Sequence, residues 1–275
     1  MSNSITDKKN QNLELALAPK GEPAKSVIKG KNMIAIASGK GGVGKTWFSI
    51  TLSQALGELG NKTLLFDGDL GLANVDIQLG LVTSQDLGNV VNGKLTINQI
   101  IHEYNQGKFD IIAGRSGSAG LASMPVGRLQ ILGEDLTSVS RSYDKTILDM
   151  GAGVEKPIRV LSSMAETIIV ICTDEPTSLT DAYAFIKVMH MHHRNLDFRI
   201  VVNQANSIIE GKRTYETLLK ACKSFLKISP PLLGIVRRDS RVSDSIRHQT
   251  PIISRHPMSD AVEDVEAIAK RIMKI

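Results

Sequence analysis

The sequence has few of the residues that several specialised protein classes require. Two cysteines in 275 residues are too few for a disulfide framework, which favours a reducing, cytoplasmic environment. No apolar run approaches the ~20 residues that span a membrane, and we expect no secretory signal because the N-terminus lacks an apolar segment. Collagen-like chains are excluded by only 23 glycines and 9 prolines. Apolar residues still make up 42% of the chain, enough for the core of one large domain or two small ones.

Positive charge is concentrated in two segments. Residues 1–31 hold six lysines and three acidic residues, and residues 211–255 hold ten basic and three acidic residues. The first segment is polar and broken by proline and glycine, and we expect it to form a flexible basic N-terminal tail. The second segment could attract DNA, an anionic membrane surface or an acidic protein, although a solvated surface explains it equally well.

From residue 32 onward, short apolar runs alternate with longer stretches of helical spacing. Apolar residues on consecutive positions are typical of strands buried on both faces, as in a parallel sheet covered by helices. The runs occupy residues 33–37, 63–66, 109–113, 145–148, 168–172, 198–202 and 232–236, and the helical stretches include residues 46–60, 177–194 and 213–226. The alternation predicts an α/β fold over residues 32–275, with a doubly wound, mostly parallel sheet and helices on both faces.

A phosphate-binding loop follows the first apolar run and opens the first helix. It satisfies the pattern G-x-x-x-x-G-K-[ST] with Gly39, Lys40, Gly41, Gly42, Val43, Gly44, Lys45 and Thr46. Glycines let backbone N–H groups turn toward phosphate oxygens, and the helix N-terminus adds partial positive charge. In such loops the lysine reaches the β- and γ-phosphates and the hydroxyl binds Mg²⁺. The sequence therefore predicts a P-loop nucleoside triphosphatase, with Lys45 as a catalytic residue and Thr46 as a metal ligand.

A second lysine makes the motif more specific. Lys40 follows the first glycine of the loop, at a position that the general pattern leaves free. Residues 40–46 resemble the deviant Walker A motif of the MinD/ParA family of P-loop ATPases (the SIMIBI type). In that family this lysine crosses a dimer interface to the phosphates of the partner subunit. The resemblance therefore implies ATP and Mg²⁺ as cofactors, and an ATP-dependent homodimer in which Lys40 also acts in catalysis.

Two further strands end in carboxylates, and the ends of such strands face the ligand crevice of an open α/β sheet. Asp67 and Asp69 follow the second apolar run, and Asp149 ends a later run just before Gly151. Carboxylates in this setting hold Mg²⁺ or orient the water that attacks the γ-phosphate. By resemblance to the family's switch I, Asp69 positions that water and Asp67 lies near Mg²⁺, while Asp149 supplies the Walker B carboxylate that holds the metal.

The residues around the base follow from the same resemblance. An asparagine can pair with both the donor and the acceptor edge of adenine, and the family's adenine-contacting asparagine falls at the strand end that holds Asn203. Arg237 lies in the segment that matches the second adenine-flanking loop, where relatives usually have proline. Trp47 stands where relatives often have threonine near the α-phosphate, and we include it among the nucleotide-binding residues.

One segment resembles a narrower branch of the family. Residues 172–187 are similar to the loop and helix of the flagellar number regulators (FlhG/FleN, also YlxH), in which the counterpart of Glu175 helps to bind the partner's nucleotide. This resemblance implies control of flagellar number and placement. Besides a second copy of the chain, the implied partners are a signal-recognition-type GTPase (FlhF-like) or a flagellar transcription regulator. The expected location is the cytoplasm, with peripheral association at the membrane or the cell pole.

Two other functions stay open. The basic segment at residues 211–255 would suit a ParA-type partition or positioning ATPase that binds DNA non-specifically. The P-loop would equally suit a MinD-like regulator of the division site.

Overall fold

The computed structural model describes residues 29–83, 85–114 and 124–275. In this part of the chain eight strands form one sheet in the order β3-β4-β2-β5-β1-β6-β7-β8. The strands are β1 Gly30–Ser38, β2 Thr63–Gly68, β3 Ile101–Tyr104, β4 Phe109–Ile112, β5 Lys145–Ala152, β6 Ala165–Cys172, β7 Asp197–Ala205 and β8 Leu232–Arg237. Every neighbouring pair is parallel except β3 and β4. The predicted fold class is confirmed.

Helices cover both faces of this sheet. They are α1 Lys45–Glu58, α2 Val75–Leu79, α3 Leu87–Val91, α4 Val126–Ser140, α5 Lys156–Ser163, α6 Pro176–His192, α7 Ile208–Ala221, α8 Ser240–Arg247, α9 Ile252–Arg255 and α10 Asp260–Ile272. Two apolar clusters form the core, and along β2 the side chains of Leu64 and Phe66 join one cluster while Leu65 joins the other. This alternation follows because successive strand residues face opposite sides of a sheet. No helix among the described residues is both long and apolar enough to cross a bilayer.

The predicted strands all occur, and one strand was not predicted. β3 is four residues long and lies at the edge of the sheet, where it pairs antiparallel with β4. Its sequence, with His102 and Glu103 at the centre, has no continuous apolar run. The predicted domain start at residue 32 falls inside β1, which begins at Gly30. The predicted N-terminal tail falls mainly on residues 1–28, which lie outside the described residues.

The last helix, α10, packs against both α1 and β8. Ser259 caps its N-terminus by accepting the backbone N–H of Val262 at 3.2 Å. The buried face of the helix includes Val265 and Ile268. A Cβ atom at Gly234 of β8 would overlap the side chain of Ile268, so only glycine allows helix and strand to approach this closely. The C-terminal helix is therefore part of the folded core.

We expect Ile268→Ala to lower the free energy of unfolding by about 2–5 kcal/mol, because it leaves a cavity between α10, α1 and β8. Ile268 is 1% exposed, whereas Ile275 is 57% exposed, so Ile275→Ala serves as the control and should change stability by less than about 0.5 kcal/mol. Urea unfolding followed by circular dichroism measures both. Equal effects of the two substitutions would contradict the packing described for α10.

Candidate nucleotide-binding site

The P-loop connects the end of β1 to the start of α1. Gly42 and Gly44 have φ angles of 79° and 90°, in the left-handed region that glycine adopts without strain. A Cβ atom at Gly44 would also lie 2.5 Å from Nδ2 of Asn203, whereas nothing lies within 4 Å of one at Gly41. The loop is therefore closely supported on one side and open on the other. On the open side, N–H groups at the start of α1 are available to bind an anion.

Two adjoining clefts lie over this loop. The first has a volume of about 600 Å³ and is lined by the P-loop and by the turns that follow β2 and β5; we call it the phosphate end. The second has a volume of about 500 Å³ and is lined by the P-loop, the end of β7 and the start of α8; we call it the base end. Trp47 and Ile246 line both clefts. Their sizes are typical of small-molecule sites, and together they suit an elongated ligand with an anionic end.

Lys45 lies at the phosphate end and is 9% exposed. Burial lowers the pKa of its ammonium group, while the nearby carboxylates of Asp149 and Asp69 raise it. The ammonium group therefore lies near Asp149 and Asp69, the carboxylates predicted to hold the metal and to orient the attacking water. A phosphate group bound here would add to the anionic charge that stabilises this buried cation.

The residues beside Lys45 fit a magnesium ion. Asp149 is buried and accepts hydrogen bonds from Thr46 and from Oγ of Ser49, the latter at 3.0 Å. Burial raises the pKa of Asp149 to about 6, and burial together with the charge of Asp149 raises the pKa of Asp67 to about 8. Two buried carboxylates that disfavour each other's ionisation are stabilised by a nearby cation. Mg²⁺ typically takes one or two protein ligands and completes its shell with phosphate oxygens and water.

Asp67 shapes the loop after β2. Its Oδ2 accepts the backbone N–H groups of Asn74 and Val75, both at 3.0 Å, and its Oδ1 accepts that of Asp69 at 3.3 Å. Its side chain is fully buried, beneath the residues that line the phosphate end. No group of three histidine, cysteine or acidic residues in the described ranges could hold a metal ion by itself. The assignment of Asp67 near Mg²⁺ stays a prediction.

Asp69 lines the phosphate end and joins two loops. Its Oδ1 accepts the N–H of Leu72 at 3.1 Å. A Cβ atom at Gly151 would lie 3.3 Å from the Asp69 carboxylate, so the turns after β2 and β5 meet at this side chain. A carboxylate at this position can hold a water molecule against the end of a bound triphosphate.

Lys40 and Glu175, both predicted to act across a dimer interface, are bonded to each other within the single chain. Nζ of Lys40 lies 2.5 Å from Oε2 of Glu175 and donates to Oγ1 of Thr177 at 2.9 Å. Lys40 lowers the pKa of Glu175 through this hydrogen bond and through its charge. The two side chains are 36% and 61% exposed. Because exposed ion pairs contribute little free energy, Lys40 can exchange this partner for another at low cost.

The base end is built on the end of β7. Asn203 is buried there, and its Nδ2 donates to the carbonyl oxygen of Val43 at 2.8 Å. Nε2 of the next residue, Gln204, donates to the carbonyl oxygen of Gly42 at 3.4 Å. Asn203 thus supports the P-loop directly, and its amide nitrogen points toward that loop. Contact between Asn203 and adenine stays a prediction.

Arg237 borders the base end, but its guanidinium group is bound to α10. It forms ion pairs with Asp264 at 2.8 Å, Glu263 at 2.9 Å and Asp260 at 3.2 Å. Hydrogen bonds from Arg237 to Asp264 and Glu263 raise its pKa above the usual value for arginine. The polar atoms of the Arg237 side chain are thus engaged by acids of α10. A contact between Arg237 and the nucleotide stays a prediction.

Trp47 forms part of the wall where the two clefts adjoin. It is 5% exposed, and its indole N–H has no hydrogen-bond partner in the described ranges. Trp47 also belongs to the apolar core cluster that contains Phe48 and Leu52. Its contact with the nucleotide stays a prediction.

Three residues of the site were not identified from the sequence. Ser49 lies three positions after Thr46 on α1, and helical spacing would have placed both on the Asp149 side. Thr177 shares Lys40 with Glu175, which no local pattern indicates. Gln204 adopts a φ of 57°, an uncommon backbone conformation for which the sequence has no signal.

Known proteins resemble this chain over most of its length. FleN of Pseudomonas aeruginosa, described as an antiactivator, is 32% identical over 87% of this chain and 85% of its own length. YlxH of Helicobacter pylori, described as a flagellum site-determining protein, is 30% identical over 86% of this chain and 80% of its own length.

Solved structures agree with the fold. The septum site-determining protein MinD of Pyrococcus horikoshii, solved with Mg-ADP, superimposes with a TM-score of 0.75 over 89% of this chain and 96% of that one, at 24% identity. The family model of the CobQ/CobB/MinD/ParA nucleotide-binding domain matches residues 34–252. These residues include the P-loop, the three carboxylates and both ends of the cleft. The chain is therefore a member of the MinD/ParA family of nucleotide-binding proteins.

Proposed function

We propose that this protein is a Mg²⁺-dependent ATPase that works as a dimerisation switch and regulates flagellar number and placement through partner proteins. The observation that carries this proposal is the exposed ion pair between Lys40 and Glu175 beside a fully formed P-loop. The FleN and YlxH relatives support the flagellar role. Partners of the kind named above, a signal-recognition-type GTPase or a flagellar transcription regulator, would bind the dimer in the cytoplasm or at the membrane surface.

Nucleotide binding uses the residues at the phosphate end. The P-loop N–H groups and Lys45 bind the phosphates, and Thr46 and Asp149 would hold Mg²⁺, with Asp67 near it. When bound, the metal neutralises charge that develops on the phosphate oxygens. The base occupies the other end, between Asn203 and the turn after β8. Each of these groups belongs to one chain, so nucleotide binding by itself requires no partner.

Dimerisation then depends on the second lysine. A triphosphate in a facing subunit offers Lys40 an anion of higher charge than Glu175, and charge-assisted bonds to phosphate are strong. The exchange releases Glu175 and Thr177 at the same surface, where they can contact the partner. Since the ion pair exists only in the undimerised arrangement, nucleotide state and dimerisation are thermodynamically linked.

Hydrolysis reverses the switch. Asp69 orients the attacking water, and the loops after β2 and β5 meet at its carboxylate. Loss of the γ-phosphate removes the anion that both loops and Lys40 contact. The loops then relax, and the dimer separates.

We expect Asp69→Ala to be a monomer with ADP and a stable dimer with ATP, because it binds nucleotide but hydrolyses it at least about 100-fold more slowly. Light scattering with ADP and with ATP measures the mass, and phosphate release measures the hydrolysis. The control is Asp135→Ala, an exposed acidic residue of α4, which should behave as wild type. A monomer in both nucleotides would count heavily against the switch.

We expect Lys40→Ala to bind ATP within about fivefold of wild type, since its loss removes only a surface interaction in the monomer. The same variant should not dimerise with ATP. Calorimetry and light scattering provide the two measurements, and Lys94→Ala, an exposed lysine outside the cleft, is the matched control. ATP-dependent dimers of Lys40→Ala would refute the role of Lys40 across the interface.

The flagellar role is tested in the organism that encodes the protein. We expect deletion of the gene to change the number or placement of flagella, scored by electron microscopy, and a wild-type copy but not a Lys40→Ala copy to restore the normal pattern.

A ParA-type role is the second candidate, because residues 211–255 carry many exposed basic side chains, such as Lys212, Arg213 and Lys223. Unchanged flagella, together with ATP-dependent DNA binding that weakens steeply with salt, would favour that role instead.

A further inference from the structure

The turn after β8 is fastened to the C-terminal helix by one arginine. The backbone N–H and Nε of Arg237 both donate to Oδ2 of Asp264, at 2.9 and 2.8 Å, and Nη2 donates to Oδ1 of the same carboxylate at 3.0 Å. Ion pairs with Glu263 and Asp260 complete the arrangement. All three acids lie in the first two turns of α10. Bidentate pairing of arginine with a carboxylate is both strong and geometrically specific.

This turn forms one wall of the base end. Arg237, Arg238 and Asp239 all line that cleft. The backbone N–H of Arg238 donates to the carbonyl oxygen of Ala205 at 2.8 Å, and Asp239 caps α8 through the N–H of Arg241 at 2.9 Å. Arg237 ends β8 and is bound to α10, so its position determines where this wall of the base end lies.

The same helix also supports the other end of the cleft. α10 packs against α1, the helix that carries Lys45, Thr46 and Trp47. α10 thus contacts the P-loop helix and, through Arg237, the turn at the base end.

The side chain of Arg237 restrains the turn beyond its backbone hydrogen bonds. A turn held only by its backbone would lose freedom when a base binds, and that loss would weaken binding. The ion pairs with α10 remove this freedom in advance.

We propose that Arg237 is a positioning residue that couples the docking of α10 to binding of the nucleotide base, without contacting the nucleotide through its guanidinium group. This inference rests on the proposed function, since it concerns the adenine end of the same site. By linkage, base binding stabilises the docked helix, and a partner that displaces α10 weakens base binding by the same factor.

The test compares ATP with inorganic tripolyphosphate, which has the phosphates but no base, each with Mg²⁺. We expect Arg237→Ala to weaken ATP binding by about tenfold, or 1.4 kcal/mol, and tripolyphosphate binding by less than twofold. Arg237→Lys should lie between wild type and Arg237→Ala, because lysine keeps the charge but not the bidentate geometry.

Arg271→Ala is the matched control. Nη1 of Arg271 also ties α10 to β8, by donating to the carbonyl oxygen of Leu233 at 2.5 Å, but near the opposite end of the strand from the base. It should leave both ligands bound as in wild type. Thermal unfolding of each variant reports any general loss of stability, and Arg237→Lys replaces Arg237→Ala if the latter does not fold.

Hydrogen exchange supplies a readout that a purely structural arginine would not change. In wild type, ATP should slow amide exchange in α10 more than tripolyphosphate does, and Arg237→Ala should abolish the difference. Equal loss of ATP and tripolyphosphate binding in Arg237→Ala, or equal loss of ATP binding in Arg237→Ala and Arg271→Ala, would overturn the inference. So would unchanged ATP binding in Arg237→Ala while wild type binds ATP. A wild-type protein that binds no ATP would overturn the proposed ATPase and this inference together.

Discussion

The ion pair between Lys40 and Glu175 is exposed and therefore weak, and the proposed dimerisation switch depends on that weakness. The two side chains are 36% and 61% exposed, so water and salt screen their attraction. A buried pair would hold Lys40 in place, because separating it would leave an uncompensated charge. On the surface the lysine keeps a definite position yet can move to a more highly charged anion. The P-loop beneath it, by contrast, is fixed by Gly44, Asn203 and the hydrogen bonds of Gln204.

The two ends of the cleft differ in how their charged side chains are buried and paired. At the phosphate end, Asp67 and Asp149 are buried together, and their raised pKa values reflect the cost of that arrangement. Such carboxylates are typical of sites built for a cation. At the base end, the charge of Arg237 is neutralised by three acids of α10. Buried carboxylates therefore dominate the phosphate end, whereas ion pairs within the chain balance the charge at the base end.

The apolar runs of the sequence predicted the fold well, because apolar residues occur at the positions that the fold buries. The strands of the parallel sheet are buried on both faces, so their sequences are continuous apolar runs. The edge strand β3 is only partly buried and has no such run, so it was not predicted. The P-loop and Asp69 were singled out because each lies directly after a strand, and Asn203 because it lies near the end of one. Their roles toward the nucleotide stay predictions. Pairing between distant residues left no local signal. Lys40 contacts Glu175, which lies 135 residues further along the chain. Arg237 contacts acids of α10, and helices α8 and α9 lie between them in the sequence. Arg237 was predicted to contact the nucleotide because its segment resembles the family's adenine-flanking loop, and in the fold its guanidinium group contacts α10.

We propose that Lys40 leaves Glu175 for the nucleotide of a second subunit. A crystal structure of the protein with Mg²⁺ and a non-hydrolysable ATP analogue tests it most directly. We expect two facing chains with Nζ of each Lys40 within hydrogen-bond distance of a phosphate oxygen bound by the other chain. An analogue-bound structure in which Lys40 still contacts Glu175 of its own chain, with no second subunit over the cleft, would contradict it.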